Sequence, residues 1–538
     1  MNNVYRQWPN NGIVYQIYPR SFADANGDGV GDLQGIIDKL DYLNDGTDSS
    51  LGIDTIWLSP IYLSPMVDMG YDVADYENID PVFGNMAVFE KLLAECKKRN
   101  IRVLMDYIPN HTSSAHAWFQ ESRSSKTSKK RDWYIWKPPK PDGSVPNNWV
   151  SVFGGSVWEY DEETGEYYMH AFDKEQPDLN WRNPEVVKAM LDVLRFWMDK
   201  GVSGFRVDAP EWMFEDTQFR DEPPNPNTSA GSLDPYQRLL HKNTFALPET
   251  MDMIKRFADT IADYEEKYMV TEIWSSYEVL IKLYRTVQQE WFMPFNFSLI
   301  MLPWTAQQHK QYIDQYEESV GQMYLPNYVL GNHDKPRVVS RIGPDQARIG
   351  AMLTLTLRGI PYIYYGEELG MEDTSIPPDR IQDTFEKTSP GLQLGRDPER
   401  TPMQWNTQKN AGFTVGEPWL PVNENYTDMN VDAQEKDKKS MLSLYKQLIH
   451  LRKSSSALLH GTYESWDAGS DDVFVYSRNA SDETLVIMLN YSDKEQTVSV
   501  PFAKGTLVLD TFLQKEKGTE IQPSNTVLAP HEGIIVKV

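Results

Sequence analysis

The sequence predicts an α/β protein: a (β/α)8 TIM barrel with a small domain inserted after strand 3 and an antiparallel β-domain at its C-terminal end. Three observations carry this. Eight short apolar runs alternate with helical stretches, which favours a closed parallel barrel over an open doubly wound sheet. Three of the runs lead to carboxylates: Gly204-Phe-Arg-Val-Asp208, Met269-Val-Thr-Glu272 and Tyr328-Val-Leu-Gly-Asn-His-Asp334. The C-terminal ends of strands are where such a barrel collects its catalytic groups, several strands contributing at once. Finally, the chain has no glycine-rich dinucleotide fingerprint and no phosphate loop, the usual marks of an open sheet that binds nucleotides.

The candidate strands, in order, are Ile13–Tyr18, Thr55–Leu58, Arg102–Asp106, Gly204–Asp208, Met269–Glu272, a weak one at Phe292–Phe297, Tyr328–Leu330 and Pro361–Tyr365. Most are apolar throughout, as strands buried on both faces are. Between them, Met86–Lys98 and Glu185–Lys200 carry apolar residues at three and four spacing, the signature of an amphipathic helix. From about Tyr107 to Asp178 the chain is rich in Trp, Pro, Lys, Ser and Gly, too long for a simple loop. A shorter excursion, Thr217–Gly231, contains Pro223-Pro-Asn-Pro226. After about Tyr463 come short strands separated by turn residues, among them Val473–Tyr476, Thr484–Leu489, Thr497–Val500 and Gly533–Val538. The resulting division is barrel at 1–106 and 179–463, insert at 107–178 and β-domain at 464–538.

Composition narrows the function. The chain has 538 residues and a net charge of −26, which argues against nucleic acid and anionic membranes as partners. Such acidity serves solubility, or a saline habitat. Cys96 is the single cysteine, so no intramolecular disulfide can form and a reducing compartment fits. The start, Met1-Asn-Asn-Val-Tyr-Arg-Gln-Trp, lacks a secretory pattern, and no apolar run approaches about 18 residues. These observations predict a cytoplasmic protein without membrane anchorage, a monomer or homodimer.

The three carboxylates suit chemistry at a sugar carbon. Most glycosidases flank the scissile bond with two carboxyl groups, one ionised and one protonated. Asp208 follows Arg206 by two, so on a strand both point the same way and the guanidinium favours an ionised aspartate, a nucleophile. Glu272 has no cation beside it in sequence and Trp274 two residues on, an apolar setting suited to a proton donor. Any one of these residues alone reads as a structural ion pair or helix cap; the three together argue for a site.

These segments resemble glycoside hydrolase family 13, the α-amylase family, and within it the oligo-1,6-glucosidase group of α-glucosidases. The matching segments are Asp106-Tyr-Ile-Pro-Asn-His111, Gly204-Phe-Arg-Val-Asp-Ala209, Thr271-Glu272, Asn332-His-Asp334 and Gln176-Pro-Asp-Leu-Asn180, in the family's order and over nearly the whole chain. The resemblance implies Asp208 as nucleophile, Glu272 as general acid/base and Asp334 as the transition-state stabiliser that holds sugar hydroxyls. It implies retention through a covalent glucosyl-enzyme, with His111, Arg206 and His333 lining the glucose subsite. Tyr71 and Asp72, in Met69-Gly-Tyr-Asp72, and Arg400, in Gly395-Arg-Asp-Pro-Glu-Arg-Thr-Pro-Met-Gln-Trp405, resemble segments of exo-acting members that bind a terminal glucose. The implied substrate is a small α-glucoside or oligosaccharide. Ala209, next to the nucleophile, resembles the alanine or threonine of α-1,4-active members, where valine accompanies α-1,6 preference.

The loop Asp24-Ala-Asn26-Gly-Asp28-Gly-Val30-Gly-Asp32 places oxygen donors at alternating positions with Gly29 sixth, like the start of a calcium loop. Its twelfth position is Gly35, where an EF-hand has a bidentate Glu; a metal-free acidic turn is the plain alternative. The resemblance implies a structural Ca²⁺ or Mg²⁺ held by Asp24, Asn26, Asp28, the Val30 carbonyl and Asp32, and no organic cofactor.

Two rivals differ in class or acceptor. Amino-acid transporter heavy chains share this barrel as interaction proteins, but carry a membrane segment and lose the carboxylates. Some sucrose isomerases carry Arg-Leu-Asp-Arg-Asp after the seventh strand, where this chain reads Lys335-Pro-Arg-Val-Val-Ser-Arg341. Transfer of glucose to an acceptor other than water remains compatible with the same residues.

Overall fold

A computed structural model describes residues 8–228, 234–392 and 394–538. Residues 1–7, where the first segment of the chain was read for a leader, and the end of the Thr217–Gly231 excursion lie outside the described residues.

Eight parallel strands form the barrel wall: β1 Val14–Ile17, β2 Thr55–Leu58, β3 Arg102–Tyr107, β4 Gly204–Val207, β5 Tyr268–Thr271, β6 Phe292–Pro294, β7 Asn327–Tyr328 and β8 Ile360–Tyr364. Each expected run supplies one strand. The hydrogen-bonded order β6-β5-β4-β3-β2-β1-β8-β7 is that of a barrel, with β6 and β7 as the ends of the ladder. Across that seam the Asn327 side chain accepts the Asn296 N–H (3.3 Å) and donates to the Ile360 carbonyl of β8.

Helices follow each strand: α1 Leu33–Asp38, α2 Met86–Lys98, α3 Pro184–Asp199, α4 Pro248–Ile261, α5 Tyr277–Val287, α6 Ala306–Val320, α7 Pro344–Thr356 and α8 Met441–Ser454. Their starts are written locally. Asn85 and Asn183 accept N–H groups of the first turns of α2 and α3, and Pro184 and Pro248 occupy first helical positions. Cys96 is buried on α2. Among the described residues no helix is long and apolar enough to cross a membrane.

The insert after β3 contains a three-stranded antiparallel sheet of Trp136–Lys137, Trp158–Asp161 and Glu166–Met169. Its far end is clipped back to the barrel. Asp178 accepts the Asn110 amide (2.8 Å) and the Ala171 N–H (2.9 Å), so the Gln176–Asn180 motif anchors the insert beside the β3 mouth. The chain ends in a six-stranded antiparallel sheet from Thr462 to Lys537. Arg478, buried in that sheet, donates to the Thr356 carbonyl at the end of α7 (2.6 Å), and Tyr463 donates to Asp314 of α6 (2.6 Å). The β-domain thus braces the outer helices, away from the strand ends that carry the three carboxylates.

Candidate active site

Asp208 follows β4 directly, Glu272 follows β5 directly, and Asp334 lies six residues past β7, all at the C-terminal rim. They line one cavity of about 630 Å³, together with Asp68, Tyr71, His111, Ala209, His333 and Arg396. Register explains the centre of the site. Arg206 pairs with Asp106 on β3 and with Val270 on β5, so one buried guanidinium stands between two carboxylate-bearing neighbours. Its Nη1 donates to Asp106 Oδ1 (2.6 Å) and Asp208 Oδ1 (2.5 Å), and its Nη2 donates to Glu272 Oε2 (2.8 Å).

This corrects the expected setting of Glu272. Adjacent residues give it no cation, but the neighbouring strand does. Glu272 also accepts the Ala209 N–H (2.8 Å) on Oε2 and the Trp274 indole N–H (2.8 Å) on Oε1. Three carboxyl groups therefore share one arginine. Burial pushes the Asp208 carboxyl up; Arg206 opposes this, while Glu272, Asp106 and Asp334 add repulsion. Burial likewise raises Asp106 to about 6, with Arg206 opposing. Burial and the neighbouring carboxylates thus push Asp106 and Asp208 toward the protonated form while Arg206 opposes them.

Asp334 is in the opposite condition. Burial works against its charge, but the neighbouring His333 ring and the Arg400 and Arg396 guanidiniums overcome it and hold the carboxyl well below the usual range. Arg400 Nη2 donates to Asp334 Oδ1 at 2.8 Å. His333 itself is kept neutral, burial lowering its pKa far below the ordinary value. Its Nδ1 faces the Gln16 amide (2.8 Å) and its Nε2 the Tyr71 hydroxyl (2.6 Å), while the two rings stack at 5.5 Å. With Gln16 donating to Nδ1, Nε2 carries the proton and donates to Tyr71, whose own hydroxyl proton goes to Asp106 (3.2 Å). Burial lowers His111 to about 4, so it too is a neutral hydrogen-bonding group on the wall.

Two sequence assignments are corrected. Asp72 does not reach the cavity. It is fully buried, accepting the Val67 and Asp68 N–H groups (3.0 Å each) and the Ser64 hydroxyl (2.9 Å). The cavity carboxylate is Asp68, four residues earlier. Met69 (φ 50°) and Gly70 (φ 108°) take left-handed or positive-φ conformations in succession, a turn that Asp72 pins and that aims Asp68 and Tyr71 inward. A Cβ at Gly70 would approach the Pro60 carbonyl to 3.1 Å, so glycine also meets a close contact there. Arg400 likewise stands behind the wall, donating to the His333 carbonyl (2.8 Å) and bracing Asp334. The arginine on the cavity is Arg396, which donates to Asp68 (2.7 Å) and Asp383 (2.6 Å), with Asp334 at 3.4 Å.

Ala209 lies where strand alternation ends: its φ of 42° and ψ of 39° are left-handed, at a cost of about 1–2 kcal/mol for an L-residue. That twist points its N–H at Glu272 and its side chain into the cavity. Glu211, two residues on, was not singled out from sequence. Its buried carboxylate accepts the Trp274 N–H (2.6 Å) and the Ser275 hydroxyl, cross-tying the loops after β4 and β5 beside Glu272. Its only sequence signal is an acid in an otherwise apolar stretch, Ala209-Pro-Glu-Trp-Met-Phe214.

The acidic loop after β1 is well formed. Asp24 accepts the Asn26, Gly27 and Gly29 N–H groups and the Thr414 hydroxyl, Asn26 accepts the Asp28 N–H, and Asp28 the Val30 N–H. Asp32 caps α1 through the Gly35 N–H (2.7 Å). Among the described residues no three His, Cys, Asp or Glu side chains form a metal-holding group. A cation there needs the Asn26 and Val30 oxygens as well. The donors are all oxygen, the chemistry that Ca²⁺ or Mg²⁺ takes, but Asp24 already accepts four hydrogen bonds, so an ion bound through it has to displace one of them.

A parallel barrel whose strand ends gather buried carboxyl groups around one cavity is the working end of a carbohydrate-cleaving barrel enzyme. The comparisons agree. A family model described as the α-amylase catalytic domain matches residues 16–461, and the chain belongs to that family, glycoside hydrolase family 13. It is 39% identical to an oligo-1,6-glucosidase of Parageobacillus thermoglucosidasius over 92% of each chain. It is also 39% identical to maltase 1 of Drosophila virilis, over 99% of this chain and 87% of that one. The α-glucosyl transfer enzyme XgtA superposes with a TM-score of 0.90 at 35% identity, covering 98% and 99% of the two chains. The protein is a glycoside hydrolase of the α-glucosidase type.

Proposed function

We propose that the enzyme releases terminal α-linked glucose from short substrates with retention of configuration. One observation carries the reading: Asp208 and Glu272 sit on the two Nη atoms of one guanidinium. The shared fork brings both carboxyl groups to one reacting bond, where a nucleophile and an acid/base must be, and the retaining outcome is the one that the family's mechanism implies. Asp208 attacks the anomeric carbon, and Glu272 delivers a proton to the departing oxygen, then takes one back from water. Asp334, held ionised, binds hydroxyls and faces the positive charge that develops on the ring. Asp68 and Arg396 close the inner end, where a charged pair grips the free hydroxyls of a terminal glucose. Early-time NMR of a hydrolysed aryl α-glucoside, whose only sugar product is the transferred glucose, is expected to show α-glucose first; β-glucose first would overturn the reading.

For linkage, the relatives divide between a 1,6-glucosidase and a maltase by name. The small Ala209 side chain supports α-1,4 bonds, because it leaves room where a valine would crowd a 4-linked sugar. Maltose is therefore expected to be cleaved better than isomaltose. Ala209→Val shifts the ratio toward isomaltose by a modest factor, since a methyl or two in a pocket is worth about 1–3 kcal/mol. The ratio is the quantity to measure, because a β-branched residue in a left-handed conformation also lowers the amount of folded enzyme. Wild-type enzyme that cleaves isomaltose well and maltose hardly at all would contradict this. XgtA transfers α-glucosyl groups by name, and a sugar hydroxyl competing with water for the same intermediate makes transfer a side reaction here.

The Asp24–Asp32 loop supports a structural Ca²⁺ or Mg²⁺ far from the reacting atoms. An ion bound only by the folded state stabilises it by mass action. Chelation is expected to lower the melting temperature more than it lowers activity at mild temperature, and Asp24→Ala with Asp28→Ala should do the same. Purified protein without bound divalent metal, and without a thermal response to added Ca²⁺ or Mg²⁺, would sink the idea.

A further inference from the structure

Beneath the cavity, side chains from β1, β2 and β3 join in one directed chain of hydrogen bonds. It starts at Gln16, the third residue of β1, which register sets beside Trp57 of β2. Neither residue is among those that line the cavity. From Gln16 the chain passes to His333 Nδ1 (2.8 Å), from His333 Nε2 to the Tyr71 hydroxyl (2.6 Å), and from Tyr71 to Asp106 Oδ2 (3.2 Å). The same Asp106 oxygen accepts the Trp57 indole N–H (3.0 Å). Asp106 Oδ1 then meets Arg206, the guanidinium that holds Asp208 and Glu272.

The acceptors set the direction of this chain. Asp334 Oδ2 lies 3.4 Å from His333 Nε2, and its carboxyl is held ionised, so a bare Nε2 would face a negative charge. Tyr71 has one proton, which Asp106 takes, so the phenol oxygen can only accept from His333. Nε2 therefore carries the imidazole proton, and Nδ1 is a buried lone pair that needs a donor. Among the described residues Gln16 is its one hydrogen-bond partner, and the second amide N–H faces the buried Ser59 hydroxyl (3.3 Å). The ring packs against Tyr71 (5.5 Å between centroids), Tyr18 (5.9 Å) and Trp57 (6.0 Å), so it has no room to turn toward another donor. Burial keeps it neutral; the charged groups that face it are Asp334, which favours a proton, and Arg400, Arg206 and Arg396, which oppose one.

We propose that Gln16 is a positioning residue for the reaction, whose amide fixes the His333 proton on Nε2 and with it the direction of the whole chain. With the chain reversed, Tyr71 turns its proton from Asp106 to Nε2, and Asp334 loses the N–H beside it. One residue outside the cavity thus governs the surroundings of both Asp334 and the Asp106–Arg206 pair. For its effect on rate the proposal rests on the retaining glucosidase reading; for the place of the proton it does not.

The test joins two substitutions with a direct view of the proton. Gln16→Met fills the space without a donor, and its kcat on maltose is expected to fall about tenfold to a hundredfold at every pH, the size of one unanswered buried acceptor. Gln16→Glu keeps the shape and makes the donor depend on pH: the protonated acid donates to Nδ1 as the amide does, and the carboxylate cannot. Its kcat relative to wild type should approach one at acid pH and fall as pH rises, where a residue needed only for packing gives a flat ratio. Neutron diffraction from the full-length wild-type enzyme in deuterium oxide should show deuterium on His333 Nε2 and none on Nδ1. Deuterium on Nδ1, wild-type kcat in Gln16→Met, or a flat ratio for folded Gln16→Glu would each overturn the proposal. Wild-type enzyme that cleaves no α-glucoside would instead overturn the glucosidase reading, and the neutron map would still decide the place of the proton.

Discussion

Asp208→Ala is expected to abolish turnover while leaving the circular dichroism spectrum unchanged. In the proposed mechanism the lost carboxylate forms the covalent bond, so no other group in the cavity replaces it. The fold should survive because Arg206 keeps two buried partners, Asp106 at 2.6 Å and Glu272 at 2.8 Å, and is not left as an unpaired buried charge. Near-normal turnover by a correctly folded variant would remove Asp208 from its role. Asp334→Asn should also be severely impaired, since it removes the charge that Arg400 and Arg396 hold in place.

Glu272→Gln is the second large effect: loss of a general acid costs about 10²–10⁴ in the chemical step. The size should depend on the leaving group. A maltose leaving group needs a proton and suffers most; a nitrophenol leaves unaided and suffers least. The amide also cannot accept all three donors that face Glu272, namely Arg206, Ala209 N–H and the Trp274 indole. Glu211→Gln tests the cross-tie behind this arrangement. It should lower kcat on maltose more than on the nitrophenyl substrate, because Trp274 is then less well held against Glu272. Equal losses on both substrates would mark Glu211 as purely structural.

Most of the barrel was legible because strands buried on both faces leave continuous apolar runs, and Asp208 and Glu272 directly follow two of them. Even the weak run at Phe292 forms a strand, short and at the seam. What the sequence hid depends on contacts between distant segments. Nothing near Glu272 in sequence announces Arg206, because the contact comes from the next strand's register. Asp72 looked like the pocket carboxylate because it follows Tyr71, yet the Met69–Gly70 turn sends it into the wall and presents Asp68 instead. Arg396 and Arg400 stand one helical turn apart in a 3-10 segment and its cap, and only the fold shows which lines the cavity and which braces Asp334. Glu211 was hidden for the same reason, since its partners, Trp274 and Ser275, lie more than sixty residues away.

The most direct test of the retaining mechanism is to trap its intermediate. A fluorinated α-glucosyl fluoride that forms the glucosyl-enzyme quickly and loses it slowly should add one sugar to the protein by intact mass. Peptide mapping should then place that sugar on Asp208. A label on another carboxylate, or fast turnover with β-glucose as first product and no labelled protein, would contradict the account.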